Sequence, residues 1–225
     1  MKIELVTTND GSHTLFLPEM NEQYHSLNGA ITESNHVYIE NGFSYCKLQK
    51  PIVFEVGFGT GLNALLTAIH AKKTEKKCTY FTIDKYPVEI TLAEQLNYGN
   101  IISEEAQLLF NKLHNSEWDK PVKINEYFTI CKIKNDLSTF KLNELPFFDV
   151  IYFDAFGPDK QPEMWTQDIF KKIAVQTITN GIIVTYSAKG EVRRQLIDVG
   201  FTMERLPGPP GKKQMLRGIK RKSFI

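Results

Sequence analysis

Cysteine is scarce in this chain: Cys46, Cys78 and Cys131 stand far apart and are odd in number. There is no CxxC pair and no Cys/His cluster, so the sequence supports neither a zinc site nor a disulfide framework. Scattered thiols of this kind read as reduced, and the expected location is the cytoplasm. Long apolar runs are missing too. The opening stretch "MKIELVTTNDGSHT" is too broken for a signal peptide, and nothing approaches the ~20 apolar residues of a membrane span. Neither sign of charge is in excess: 27 Lys+Arg against 26 Asp+Glu leave +1, which is neutral on the question of a nucleic-acid partner. Also absent is GxGxxG, the glycine pattern that cradles a dinucleotide pyrophosphate. Internal repeats and low-complexity segments are not seen.

What remains is an ordinary globular balance of 42% apolar and 24% charged residues over 225 positions, enough for one domain with its own core. Residues 1–50 hold short apolar pieces between polar turns. They read as a strand or hairpin, a short helix around Ala30, and a further strand: an N-terminal extension packing on the core. Residues 51–225 form the main domain. There "PIVFEV", "CTYFTID", "FTICKIKND", "FFDVIYFDAFGP" and "GIIVTYS" read as strands. They alternate with helices in "GLNALLTAIHAKK", "PVEITLAEQLNYG", "EEAQLLFNKLH", "QPEMWTQDIFKKIAVQT" and "GEVRRQLIDVG". In "PVEITLAEQLNYG", Pro87 marks the start and Gly99 the end. Such alternation predicts an α/β fold, a doubly wound and mostly parallel sheet. "FTMERLPG" and "KQMLRGIKR" follow with no helix between them, which predicts an antiparallel C-terminal hairpin. By analogy, this is the Rossmann-like architecture of class I S-adenosylmethionine (SAM) methyltransferases.

Two stretches carry chemistry. In "FEVGFGTGLN", Gly57, Gly59 and Gly61 turn the chain sharply at the end of a strand and let a ligand approach the backbone. Glycines alone are compatible with a tight strand-to-helix turn. Glu55 adds a carboxylate where a pyrophosphate would be repelled and a cationic ligand such as SAM is suited. Asp84 ends the next strand, where a carboxylate accepts ribose hydroxyls. Asp136 ends the one after, within reach of an adenine amino group. Each is also a residue type that caps a following helix. In "DVIYFDAFGPDKQPEMW", Asp149 reads as a solvated turn residue. Asp154 ends the fourth strand beside the expected methyl group. A lone carboxylate there suits an aliphatic amine, which it would bind and orient more than deprotonate, because an ordinary Asp pKa is low. Phe156 and Trp165 would wall the pocket or pack in the core. The C-terminal segment is basic, with Arg205, Lys212, Lys213, Arg217, Lys220, Arg221 and Lys222 after Arg193 and Arg194. It fits phosphate contacts to a polyanion as well as a solvated tail. The Pro/Gly-rich loop around Lys212 and Lys213 is expected to display both.

These residues resemble one family closely: the methyltransferase domain of the tRNA 5-methylaminomethyl-2-thiouridine biosynthesis proteins (MnmC-like). The matching segments are "YHSLNGAITES", "VGFGTGLNALLT", "TIDKYPVEIT", "DAFGPDKQPEMWTQDIF", "VRRQLIDVGFTMER" and "GKKQMLRG", from about Tyr24 to about Gly218. The resemblance implies SAM-dependent methylation of an aminomethyl group at C5 of the tRNA wobble uridine, with no metal. It implies SAM contacts from Glu55, Gly57, Phe58, Gly59, Thr60, Gly61, Asn63, Asp84, Lys85, Asp136, Leu137 and Asp154, with Tyr24 and Glu33 closing the site. Asp154 would meet the amine. Phe156, Pro158, Lys160, Trp165, Arg193, Lys212, Lys213 and Arg217 would face the substrate. The two-domain members carry an FAD-dependent oxidase, but no second nucleotide motif follows here, so the chain resembles the stand-alone form. Gly157 and Asp159 stand where relatives commonly have small residues such as Ala. Two other readings fit parts of the pattern. A polyamine aminopropyltransferase shares the glycine loop and an Asp after the fourth strand, though the basic C-terminus argues against a polycationic substrate. A non-catalytic SAM- or RNA-binding module would have no use for Asp154 beside an intact cofactor loop.

Overall fold

The computed structural model describes residues 3–222. Its main sheet has eight strands. Among the described residues the strands, in chain order, are β1 (Glu4–Thr7), β2 (His13–Leu17), β3 (Glu22–Gln23), β4 (Ile52–Val56), β5 (Cys78–Asp84), β6 (Pro121–Lys123), β7 (Phe128–Lys134), β8 (Phe148–Phe153), β9 (Thr177–Thr185), β10 (Phe201–Pro207) and β11 (Gln214–Lys220). The large sheet runs β10-β11-β9-β8-β4-β5-β7-β6, and β1-β2-β3 form a small separate sheet. Strands β7, β5, β4, β8 and β9 are mutually parallel. β11 pairs antiparallel with both β9 and β10. The doubly wound sheet and its C-terminal hairpin are therefore as expected.

The parallel strands are apolar because both of their faces are covered. Every residue of β8 is buried. One face packs against a core that includes Leu65, Ala68, Tyr80, Phe110 and Tyr152, the other against one that includes Phe54, Ile133, Phe153, Phe170 and Leu196. The main helices are α1 (Ala30–Ser34), α2 (Leu62–Lys73), α3 (Ile90–Ala93), α4 (Tyr98–Ile102), α5 (Glu104–Asn115), α6 (Gln167–Val175) and α7 (Gly190–Asp198). Ser103 caps α5 by accepting the Ala106 N–H at 3.1 Å. At the other end the buried Lys132 donates to the Leu113 and His114 carbonyls, both at 2.9 Å, which satisfies groups a helix end leaves open.

Four local expectations change. The strand expected after Ala30 is a π-helical turn over Asn35–Phe43 that continues α1. Its buried residues, Val37, Tyr38, Ile39, Gly42 and Phe43, cluster on a helical face instead of alternating. The helix expected over 87–99 is two short ones, and Gly99 lies inside α4. The helix expected in "QPEMWTQDIFKKIAVQT" is split into a 3-10 turn (Pro162–Trp165) and α6, with Thr166 as cap. Asp149 is no solvated turn residue: it is 8% exposed and accepts the Ile52 N–H at 2.7 Å, pinning the start of β4 to β8. The edge strand β6 was not anticipated.

Residues before β4 reach the rest of the fold at defined points. The His13 N–H donates to Asn97 Oδ1 at 2.8 Å, His25 Nε2 lies 2.7 Å from Thr60 Oγ1, and His36 Nε2 lies 2.8 Å from the Pro207 carbonyl. No helix among the described residues is long and apolar enough to cross a membrane.

Candidate functional site

The loop after β4 is built by left-handed glycines: φ is 90° at Gly57, 50° at Gly59 and 74° at Gly61. A Cβ on Gly57 would sit 3.1 Å from the Asp154 carbonyl, and one on Gly59 would sit 3.1 Å from the Tyr24 ring. Both conformation and space therefore require glycine. The loop is tied to the next strand, since the Gly57 N–H donates to the Ile83 carbonyl and the Gly59 N–H to Asp84 Oδ2, both at 2.9 Å. Asp84 Oδ1 takes the Tyr86 N–H at 2.8 Å. Burial pushes the Asp84 pKa up, against those backbone hydrogen bonds.

Asp136 follows β7. Ser138 donates to it from both N–H and Oγ, and Lys85 pairs with it at 2.9 Å. These partners hold its pKa down to about 2. Leu137 beside it is buried in the core.

Asp154 follows β8, across β4 from Asp84 in the sheet, about 10 Å away by strand spacing. Tyr38 Oη donates to Oδ1, and Asn63 Nδ2 donates to Oδ2 at 2.7 Å. Burial raises its pKa to about 7. The Tyr38 and Asn63 hydrogen bonds and the Lys212 charge lower it, and the Glu33 charge raises it. A carboxylate expected to be a poor base is thus tuned to neutrality. The chain beyond it is clamped: Tyr186 Oη donates to the Ala155 carbonyl at 2.9 Å and Trp165 Nε1 to the Phe156 carbonyl at 2.7 Å. Phe156 meets Tyr24 edge-on, with ring centroids 4.9 Å apart.

The structure thus brings together Tyr24, Glu33, Gly57, Gly59, Asn63, Asp84, Asp154, Phe156 and Lys212. Several expected site residues turn their side chains elsewhere. Trp165 packs among Phe153, Phe170 and Tyr186 in the core, so it holds the Phe156 loop from behind and walls nothing. Phe58 is buried against His114 and Trp118. Thr60 is buried, its hydroxyl on His25 and its carbonyl on His114. Burial lowers the pKa of both histidines to about 4, which keeps them neutral. Arg217 pairs with Glu204 at 2.8 Å and stacks on Tyr45 at 3.8 Å. Lys160 donates to the Met20 carbonyl at 2.9 Å, joining the turn that carries Pro158 to the N-terminal segment. Lys213 is exposed and Arg193 half-exposed. Lys212 is not displayed: it pairs with the buried Glu33 at 2.7 Å.

Glu55 departs most from expectation. It is 0% exposed, and neither carboxyl oxygen has a well-formed hydrogen bond. Burial raises its pKa well above the ordinary value, only partly offset by Thr82, Asn63 and Tyr80. It therefore sits below the loop, closed off from solvent. The native state holds a proton that the unfolded chain releases above about pH 4.5, so stability falls as pH rises past that point. Glu55→Gln should then raise the melting temperature at pH 8 by roughly 2 °C or more, while the SAM dissociation constant moves less than about threefold. A tenfold weaker SAM affinity by calorimetry would put Glu55 in contact with the ligand.

Sequence reasoning missed Tyr38 and Tyr186. The doublets Tyr38-Ile39 and Gly42-Phe43, four apart, signal a helical face; nothing in the sequence singles out Tyr186. The donor set fits SAM: a glycine cradle that a Cβ would fill, Asp84 with lone pairs left for ribose hydroxyls, and Asp154 at the neighbouring strand end. Among the described residues no group of His, Cys, Asp and Glu could hold a metal ion.

Known proteins share this chain's sequence pattern and fold. The bifunctional tRNA 5-methylaminomethyl-2-thiouridine biosynthesis protein MnmC of Burkholderia vietnamiensis is 27% identical over 231 residues, covering 95% of this chain and 34% of that protein. The one from Campylobacter hominis is 30% identical over 206 residues, covering 90% and 31%. The chain thus spans about a third of these relatives. The crystal structure of MNMC2 from Aquifex aeolicus shares the fold, with a TM-score of 0.80 at 24% identity, covering 100% of this chain and 72% of that one. A family model described as S-adenosyl-L-methionine-dependent methyltransferase matches residues 103–221, which is more than half of the sequence, and the chain belongs to that family of methyltransferases.

Proposed function

We propose that this methyltransferase transfers the SAM methyl group to the primary amine of 5-aminomethyl(-2-thio)uridine at the wobble position of tRNA, giving 5-methylaminomethyl(-2-thio)uridine. The observation that carries the reading is Asp154: a buried carboxylate with pKa about 7, held by Tyr38 and Asn63, at the strand end nearest the glycine loop. An aliphatic amine has a pKa of about 10.4 and arrives as an ammonium. Asp154 binds it, aims its nitrogen, and takes the proton as the lone pair attacks the methyl carbon. The carbon–sulfur bond breaks and S-adenosylhomocysteine leaves. A pKa near the working pH makes that transfer more effective than with an ordinary carboxylate.

In the same reading, SAM lies over Gly57 to Gly61. Asp84 would hold its ribose, Asp136, braced by Lys85, would hold the adenine amino group, and Tyr24 and Phe156 would shield the site from water. The names of the relatives point to an RNA substrate, and Lys213 is exposed to meet a phosphate. Incubating the protein with tritiated SAM and undermodified tRNA, then analysing nucleosides, should give label in C5-methylaminomethyl uridine. Label in any other base would sink the substrate assignment.

A further inference from the structure

Glu33 is the second buried carboxylate at this site. It is 6% exposed and comes from α1, outside the sheet. One oxygen is fixed by the Ser26 N–H at 2.8 Å. The other meets the Lys212 ammonium at 2.7 Å. That ammonium also lies over the face of Tyr186, 3.9 Å from the ring centre. Carboxylate and aromatic face together make a cation box, and a buried carboxylate needs a charge partner.

The occupant of the box is a primary ammonium on a flexible four-carbon stem, carried by a turn in which the Lys212 N–H donates to the Pro209 carbonyl at 2.9 Å. The loop joins β10 to β11 and contains Gly208, Pro209, Pro210 and Gly211, with Gly211 left-handed at φ 84°. Lys212 is one-third exposed, so a path to solvent is open, and exposed Lys213 follows it. Lys212 is thus tied to Glu33 and placed to reach a phosphate outside.

We propose that Glu33 and the face of Tyr186 form a subsite for a ligand's primary ammonium, and that this ammonium enters by displacing Lys212. Two ligands carry the group: SAM at its amino-acid end and, resting on the reading above, the aminomethyl nucleoside. The released lysine is then free for a phosphate, which couples filling of the site to engagement of a polyanion.

Lys212→Met keeps the stem and removes the competing charge. It should tighten the ammonium ligand about tenfold, the scale of one desolvated cation contact. Calorimetry on the full chain would use three probes: SAM, 5'-methylthioadenosine, which lacks the ammonium, and 5-aminomethyluridine with S-adenosylhomocysteine present. Tighter SAM with unchanged methylthioadenosine supports the subsite and assigns it to the cofactor. A tighter nucleoside with unchanged SAM supports it and assigns it to the substrate. Unchanged or weaker binding of both ammonium ligands, or equal tightening of methylthioadenosine, overturns it. Glu33→Gln should weaken the same ligand that Lys212→Met tightens, and any other result counts against the proposal. If tRNA labelling fails while SAM binds, the substrate reading falls, and the SAM arm still decides the subsite.

Discussion

Asp154→Asn should lower turnover about a thousandfold while SAM binding stays within about threefold, because the loss of one positioned proton acceptor costs ~10²–10⁴. Asparagine keeps the shape and can still accept from Tyr38, but it holds no charge for an ammonium and takes no proton. In the parent protein kcat/KM should rise with pH through about 7, where Asp154 ionises. That inflection should vanish in the variant, leaving only the rise from the free amine at higher pH. A variant with more than a tenth of parental turnover, or an unshifted inflection, would remove Asp154 from the chemistry.

The same residue has an opposite effect on stability. Its native pKa, about 7, lies above the ordinary 3.8, so the native state holds a proton that the unfolded chain has already lost. The stability this gives is complete below about pH 4 and is lost as pH rises through 7, by up to about 4 kcal/mol. Asp154→Asn should therefore flatten the melting-temperature profile between pH 4 and 8. The form that binds an ammonium is the form that costs stability, which is the usual tension of a buried active-site carboxylate.

Much of this could be read from the sequence because local rules and tertiary needs agree there. "FEVGFGTGLN" must turn sharply at a strand end, and only glycine tolerates those angles. Asp84 and Asp154 close apolar runs directly and Asp136 follows one after Lys134 and Asn135, so their place at the strand ends follows from counting. Other features depended on distant neighbours. Tyr38 lies in a stretch rich in β-branched and aromatic residues, and packing on β8 and β9 makes it helical. Glu55 looks like an exposed acid in the one-dimensional pattern, yet β-strand alternation turns it under the loop beside Thr82 and Asn63. Lys212 reads as a displayed loop charge until α1 brings Glu33 to it. In each case the partner is far away in sequence.

Gly99→Ala tests the same lesson with opposite signs from two rules. Helix propensity alone favours alanine inside α4 by about 1 kcal/mol. The tertiary structure forbids it. Ser103 alone joins α4 to α5, so the two helices fold back on each other at close range. A Cβ on Gly99 would lie 2.3 Å from Gln107 Cα and 2.7 Å from its nitrogen, and backbone cannot step aside as a flexible side chain can. The clash should cost about 3 kcal/mol, a fall in melting temperature of roughly 6–12 °C for a chain of this size. The strain would travel through Tyr98, which is fully buried and packs edge-on against Phe110 and His25. His25 holds Thr60 in the glycine loop, so SAM affinity should fall as well. A melting temperature equal to or above that of the parent would mean that propensity wins and that α4 and α5 do not cross this closely.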